Sequence, residues 1–96
     1  FAKLEALDVM FCSKLTDTAL SHFAALRALR TLNLSECFRV TDDGLAALAP
    51  LRELRVLHLN WCLALTDAGL AALAALPSLA ELSVQGCPQL TDAGLS

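Results

Sequence analysis

Cys12, Cys37, Cys62 and Cys87 stand 25 residues apart, and each precedes by four residues a Thr-Asp pair: Thr16-Asp17, Thr41-Asp42, Thr66-Asp67 and Thr91-Asp92. Thiols, carboxylates and a histidine (His58, four residues before Cys62) offer three chemistries. Metal binding needs four ligands converging at about 2.3 Å. Nucleophilic attack needs a base within hydrogen-bond reach of the thiol. A disulfide needs Cα atoms roughly 4.4–6.8 Å apart.

The constant step decides between them. A fixed period of about 20–50 residues marks a solenoid of stacked units. Aligned on it, the chain reads LEALDVMFCSKLTDTALSHFAALRA (4–28), LRTLNLSECFRVTDDGLAALAPLRE (29–53), LRVLHLNWCLALTDAGLAALAALPS (54–78) and LAELSVQGCPQLTDAGLS (79–96), without insertions. Leu57-His58-Leu59 alternates in and out with period two, the pattern of a short strand. Leu70, Leu73 and Leu76 have helical spacing. The Thr-Asp pair ahead of them supplies a capping oxygen and a negative charge for the helix start, with either residue able to be the cap. Each unit is thus strand, turn, helix and return, and the units bury their leucines only by stacking.

Stacked coils lie roughly 4.7–4.9 Å apart, so the four sulfurs form a row about 14 Å long. A straight row cannot converge on a metal. Strand alternation sends His58 outward while Cys62 turns in, which separates thiol from base. The row therefore reads as a reduced, buried, metal-free cysteine ladder, since free cysteine packs as a small hydrophobe. Unpaired cysteines at even spacing suit a reducing compartment, so an intracellular, cytoplasmic setting is expected. No acid pair, serine-histidine-aspartate set or phosphate-cradling glycine loop is present. No catalytic residue, metal or cofactor is expected, and the chain reads as a non-enzyme.

Composition agrees. Of 96 residues 56% are hydrophobic, and the net charge is −3. All seven Lys and Arg fall within residues 1–55 without clustering, which argues against nucleic acid or an anionic membrane as partner. No apolar run reaches the roughly 18 residues that would span a bilayer, and no signal peptide is visible.

The repeated LxxLxLxxC, followed by Leu or Val with Thr-Asp and then Gly-Leu, resembles the cysteine-containing class of leucine-rich repeats found in the substrate-recognition half of F-box adaptors of ubiquitin ligases. The resemblance spans the chain. It implies a right-handed α/β horseshoe of about four repeats, with parallel strands on the concave face and helices on the convex face. Two departures are visible. Leu26, Leu51 and Leu76 stand where the class often has a second cysteine, and no F-box accompanies the repeats. The Ala-Leu-rich helices also look somewhat like bacterial effector repeats.

That geometry implies outward rows, each taken from one repeat position: Ala6, Thr31, Val56, Glu81; Asp8, Asn33, His58, Ser83; Met10, Ser35, Asn60, Gln85; and Phe11, Glu36, Trp61, Gly86. Candidate partner-binding residues are Asp8, Met10, Phe11, Asn33, Phe38, His58, Asn60, Trp61 and Leu63. Trp61 and Phe38 either bind a partner or fold over the rim onto the next coil. His58 is a solvated polar residue or a pH-sensitive one. Arg27 with Arg52, and Arg30 with Arg55, are expected to complement helix ends or to meet an acidic partner. Ala46, Ala47, Ala49, Ala71, Ala72, Ala74 and Ala75 are expected to let helices pack closely. Gly44, Gly69 and Gly94 belong to the turn into the helix. The resulting expectation is a scaffold holding a protein partner on its concave face, as in an F-box-type adaptor, with a passive spacer as alternative. Phe1 and Leu95-Ser96 read as the cut ends of a longer array, able to self-associate end to end.

Overall fold

The computed structural model describes residues 4–10, 12 and 14–91. Phe1, Phe11, Gly94 and Leu95-Ser96 lie outside the described residues, as does the helix expected after Thr91. Four three-residue strands, β1 (Ala6–Asp8), β2 (Thr31–Asn33), β3 (Val56–His58) and β4 (Glu81–Ser83), form one parallel sheet in chain order. Leu7, Leu32, Leu57 and Leu82 pair in succession, so the sheet register equals the sequence period. Backbone bonds continue beyond the strands, from Leu34 N to His58 O at 2.8 Å and from Trp61 N to Gln85 O at 2.8 Å. The cost of a short strand is thereby shared with its neighbours.

Helices α1 (Asp17–Phe23), α2 (Asp42–Ala46) and α3 (Asp67–Leu73) follow the strands and pack in sequence, α1 on α2 and α2 on α3. Leu76, expected as the third helical leucine, lies beyond α3; Leu76 N bonds Leu73 O at 3.0 Å in a tighter terminal turn. Proline follows at 77 and disfavours helical backbone just before it.

The two central units are closed most completely. Leu32, Leu34, Cys37, Leu57, Leu59, Cys62 and Leu65 have no solvent exposure. Their counterparts in the first coil, Leu7 and Val9, are only half-buried, and Leu82 of β4 is exposed, because each outer coil has one described neighbour instead of two.

The Thr-Asp pair divides its labour in a way its sequence left open. Thr16, Thr41 and Thr66 occupy the N-cap positions with extended backbone. Thr66 Oγ1 accepts from Ala68 N at 3.3 Å, while Thr16 and Thr41 make no side-chain cap bond. The aspartates reach across to the next coil. Asp17 accepts from Thr41 N at 2.8 Å, Asp42 from Thr66 N at 2.9 Å and Asp67 from Thr91 N at 2.9 Å, and each also accepts from that threonine's hydroxyl. The pair is thus a link between coils as much as a helix start.

This link explains the glycines and corrects their reading as turn residues. Gly44 and Gly69 are the third residues of α2 and α3. A Cβ at Gly44 would strike the Asp17 carboxylate, and one at Gly69 the Asp42 carboxylate. The close approach between coils occurs here and not at the alanines: Ala46, Ala49, Ala71, Ala74 and Ala75 are exposed, with Ala47 and Ala72 half-buried. The arginines also depart from expectation. Arg27 and Arg52 lie past the helix ends, outside the last turn where a cation acts on the helix dipole. Arg30 instead meets Glu5 at 3.7 Å, an exposed pair.

Candidate functional site

The outward side of each strand and the turn that follows it form one continuous surface. Asp8 Oδ1 accepts from Met10 N at 3.1 Å, and Asn33 Oδ1 accepts from Ser35 N at 3.0 Å. Aspartate and asparagine oxygens commonly bond the backbone two residues on, which bends a strand into a turn. The next row ties coils together. Asn60 N donates to Ser35 Oγ at 3.2 Å, and Gln85 N donates to Asn60 Oδ1 at 2.8 Å. Asn60 is therefore half-buried and engaged, rather than simply facing solvent.

The position before Cys37, Cys62 and Cys87 has left-handed backbone: φ is +61° at Glu36, +62° at Trp61 and +76° at Gly86. Glycine adopts this freely; a side chain there costs energy. The consequence for Trp61 is specific. Its ring lies against the backbone of Gly86 in the next coil, in the space a Cβ at 86 would fill. One face of the indole is thus packed, while the residue stays 48% exposed. Trp61 folds onto the next turn and stays half exposed.

Five candidate residues, Met10, Asn33, His58, Asn60 and Trp61, line one open groove of about 290 Å3. Ser35, Glu36 and Gln85 complete it. A second hollow of about 350 Å3 brings Asp8 together with Asn33 and His58 over the outer faces of β1 and β2. Phe38 and Leu63 occupy one repeat position just past the cysteines and are 43% and 45% exposed, outside both hollows. Phe11 lies outside the described residues. Glu36 was passed over as a candidate. Its signal was positional: it shares the repeat position of Trp61.

Beneath this surface run the cysteines. Cys37, Cys62 and Cys87 are buried and unbonded to one another. Each thiol donates to a carbonyl of the preceding coil: Cys37 to Val9 O at 3.3 Å, Cys62 to Leu34 O at 3.1 Å and Cys87 to Leu59 O at 3.0 Å. Cys12 departs from the expected ladder, being exposed, because no described coil covers it. Burial raises the Cys37 thiol above its ordinary value and pushes that of Cys62 up to about 11. Thiols so held are poor nucleophiles, since the thiolate is the attacking form. Among the described residues, no three His, Cys, Asp or Glu side chains are grouped to hold a metal ion. No described helix is long and apolar enough to cross a membrane.

Comparison with known proteins matches the architecture. Residues 26–49 and 52–74 match the leucine-rich-repeat family. A chain from the crystal structure of the yeast Rad7–Elc1 complex is similar over 96% of this chain, with 28% identity and a TM-score of 0.84. The C-terminal domain of tropomodulin from Caenorhabditis elegans aligns over 92%, with 17% identity and a TM-score of 0.70, a likeness of fold. The chain spans 24% of the length of the first of these and 59% of the second. No curated protein matches its sequence.

Proposed function

We propose that this chain, whose residues 26–49 and 52–74 match the leucine-rich-repeat family, is a non-catalytic scaffold that holds a protein partner against its strand face, the concave side of such solenoids. The observation that carries this reading is the groove, where side chains from all four coils meet on one frame: Met10, Asn33, His58 with Trp61, and Gln85. A surface built from the same few repeat positions in successive coils changes its chemistry without disturbing the core, which is how solenoids serve as extended binding surfaces. Exposed Trp61 supplies the aromatic anchor on which interface energy commonly concentrates. The likeness to a chain from a two-protein complex supports a role within an assembly. The specific form proposed is substrate recognition in an F-box-type ubiquitin ligase adaptor, with the coupling element elsewhere in the assembly.

The test is capture of binding proteins by the immobilised chain, followed by face-specific substitution. His58→Glu and Trp61→Ala should each abolish capture of a given partner. Ala71→Arg, at an exposed position of α3, should leave it unchanged. Equal loss from the helix side, or no loss from the strand side, refutes strand-face binding.

A further inference from the structure

We propose that Glu36 and Trp61 form a paired subsite for an arginine side chain of the partner, so that the strand face recognises a cationic segment. This rests on the scaffold reading above and names the chemistry of its occupant.

Three observations converge. The first is backbone conformation. Two successive coils place non-glycine residues at a left-handed position, φ +61° at Glu36 and +62° at Trp61, where the fourth coil uses Gly86. Strained backbone of this kind clusters at binding sites, where the cost is retained for what the side chain does. The two residues kept there are a carboxylate and an indole, and both line the same groove.

The second is the state of the two groups. Among the described residues no ion pair or side-chain hydrogen bond engages the Glu36 carboxylate. The indole is fixed by its contact with Gly86 and leaves its other side open. An anion without a partner beside an oriented aromatic surface is half of a guanidinium site. A planar guanidinium stacks on the ring while its N–H fork bonds the carboxylate, and arginine combines both better than lysine.

The third is charge. The outward rows carry Asp8, Glu36 and Glu81 and neither Lys nor Arg. Arg30 and Arg55 immediately precede β2 and β3, at the opposite end of the strands from the groove's turns, and Lys14 and Arg39 follow the cysteines outside the residues that line the groove. Opposed charge on partner and surface gives specificity and raises the rate of encounter.

Trp61 is the sole tryptophan and the chain has no tyrosine, so its emission reports this subsite alone. The probes are three capped tripeptides, glycine flanking arginine, lysine or citrulline, titrated against the 96-residue chain. Emission and the indole N–H resonance are followed together. Arginine should give a saturable change and lysine a weaker one. Citrulline, similar in shape and uncharged, should give none. Glu36→Gln should weaken arginine binding by about tenfold, a factor equal to ~1.4 kcal/mol, with an unchanged melting curve. Asp43→Asn, an exposed charge loss on α2, should have no effect. Equal responses to arginine and citrulline overturn the subsite, as does equal weakening by Asp43→Asn or no response to any peptide. If a protein partner is captured through the strand face while these titrations fail, the scaffold stands and the arginine site falls. If the titrations succeed while capture is insensitive to face substitutions, the reverse holds.

Discussion

At the scale of single residues, glycine at 69 tests the link between coils. Replacing it by alanine favours the helix by roughly 1 kcal/mol. The new Cβ, however, meets the Asp42 carboxylate and comes within 3.0 Å of a Leu45 methyl. Charge-assisted hydrogen bonds are worth about 1.5–3 kcal/mol each, so displacing Asp42 from Thr66 outweighs the gain. Gly69→Ala should destabilise by about 1–2 kcal/mol in urea titration, and most of that cost should vanish in an Asp42→Ala background. Additive costs would mean that glycine and carboxylate are uncoupled. Asp67 gives a pH test of the same contact. Hydrogen bonds from the Thr91 hydroxyl and N–H hold its carboxyl below the ordinary value. A depressed folded value means stability that is present above the unfolded value, about 3.9, and lost as pH falls through the folded one. Asp67→Asn should therefore narrow the difference in urea midpoint between neutral pH and about pH 3. An unchanged difference would show that the bond does not persist in solution. For the thiols, a reagent at neutral pH should modify Cys12 quickly and the three buried cysteines only on unfolding. Much of this scale was hidden in the sequence. Nothing in Glu36 or Trp61 advertises left-handed backbone, and Gly86 hints at it only once the repeats are aligned. That Asp reaches forward instead of capping its own helix depends on coil spacing, which no single unit contains.

At the scale of elements, the sequence was far more transparent. A strand of three residues carries little propensity of its own, yet Leu32, Leu57 and their counterparts recur at one step, and the pairing follows that step without a slip. Period-two alternation also sets the facing: Leu57 is buried between half-buried Val56 and His58. Leu57→Ala should cost about 2–5 kcal/mol in denaturant titration. His58→Ala, on the outward side of the strand, should cost under about 1 kcal/mol, and equal costs would place the register one residue out. Helix ends were less legible. Leu70, Leu73 and Leu76 have helical spacing, but Leu76 keeps its inward direction through a tighter turn, and spacing alone cannot distinguish the two. Asn60 was read as solvent-facing because strand alternation was carried into the turn, where it no longer applies; the side chain is used by Gln85 N.

At the scale of the whole molecule, β1 and β4 each pair on one side only among the described residues, and exposed Leu4 and Leu82 accompany those open edges. The isolated 96-residue chain should self-associate with rising concentration in sedimentation, and substitution of Leu82 by lysine should suppress it. A concentration-independent monomer would show that the open edges do not adhere. The side-chain links between coils have a further property in common. Asp17 accepts from Thr41, Val9 O from Cys37, Ser35 from Asn60 N, Asn60 from Gln85 N, Leu63 O from Gln89 and Glu5 from Arg30. In each the earlier coil offers oxygen and the later coil offers hydrogen. Every coil is therefore a two-sided piece with unlike sides, as in a row of interlocking tiles. Two coils turned toward each other would set these side-chain acceptors against one another, although the backbone edge itself carries donors and acceptors alike. During synthesis the waiting side presents these side-chain acceptors together with backbone N–H donors such as that of Leu34, so each coil emerges already able to receive the next.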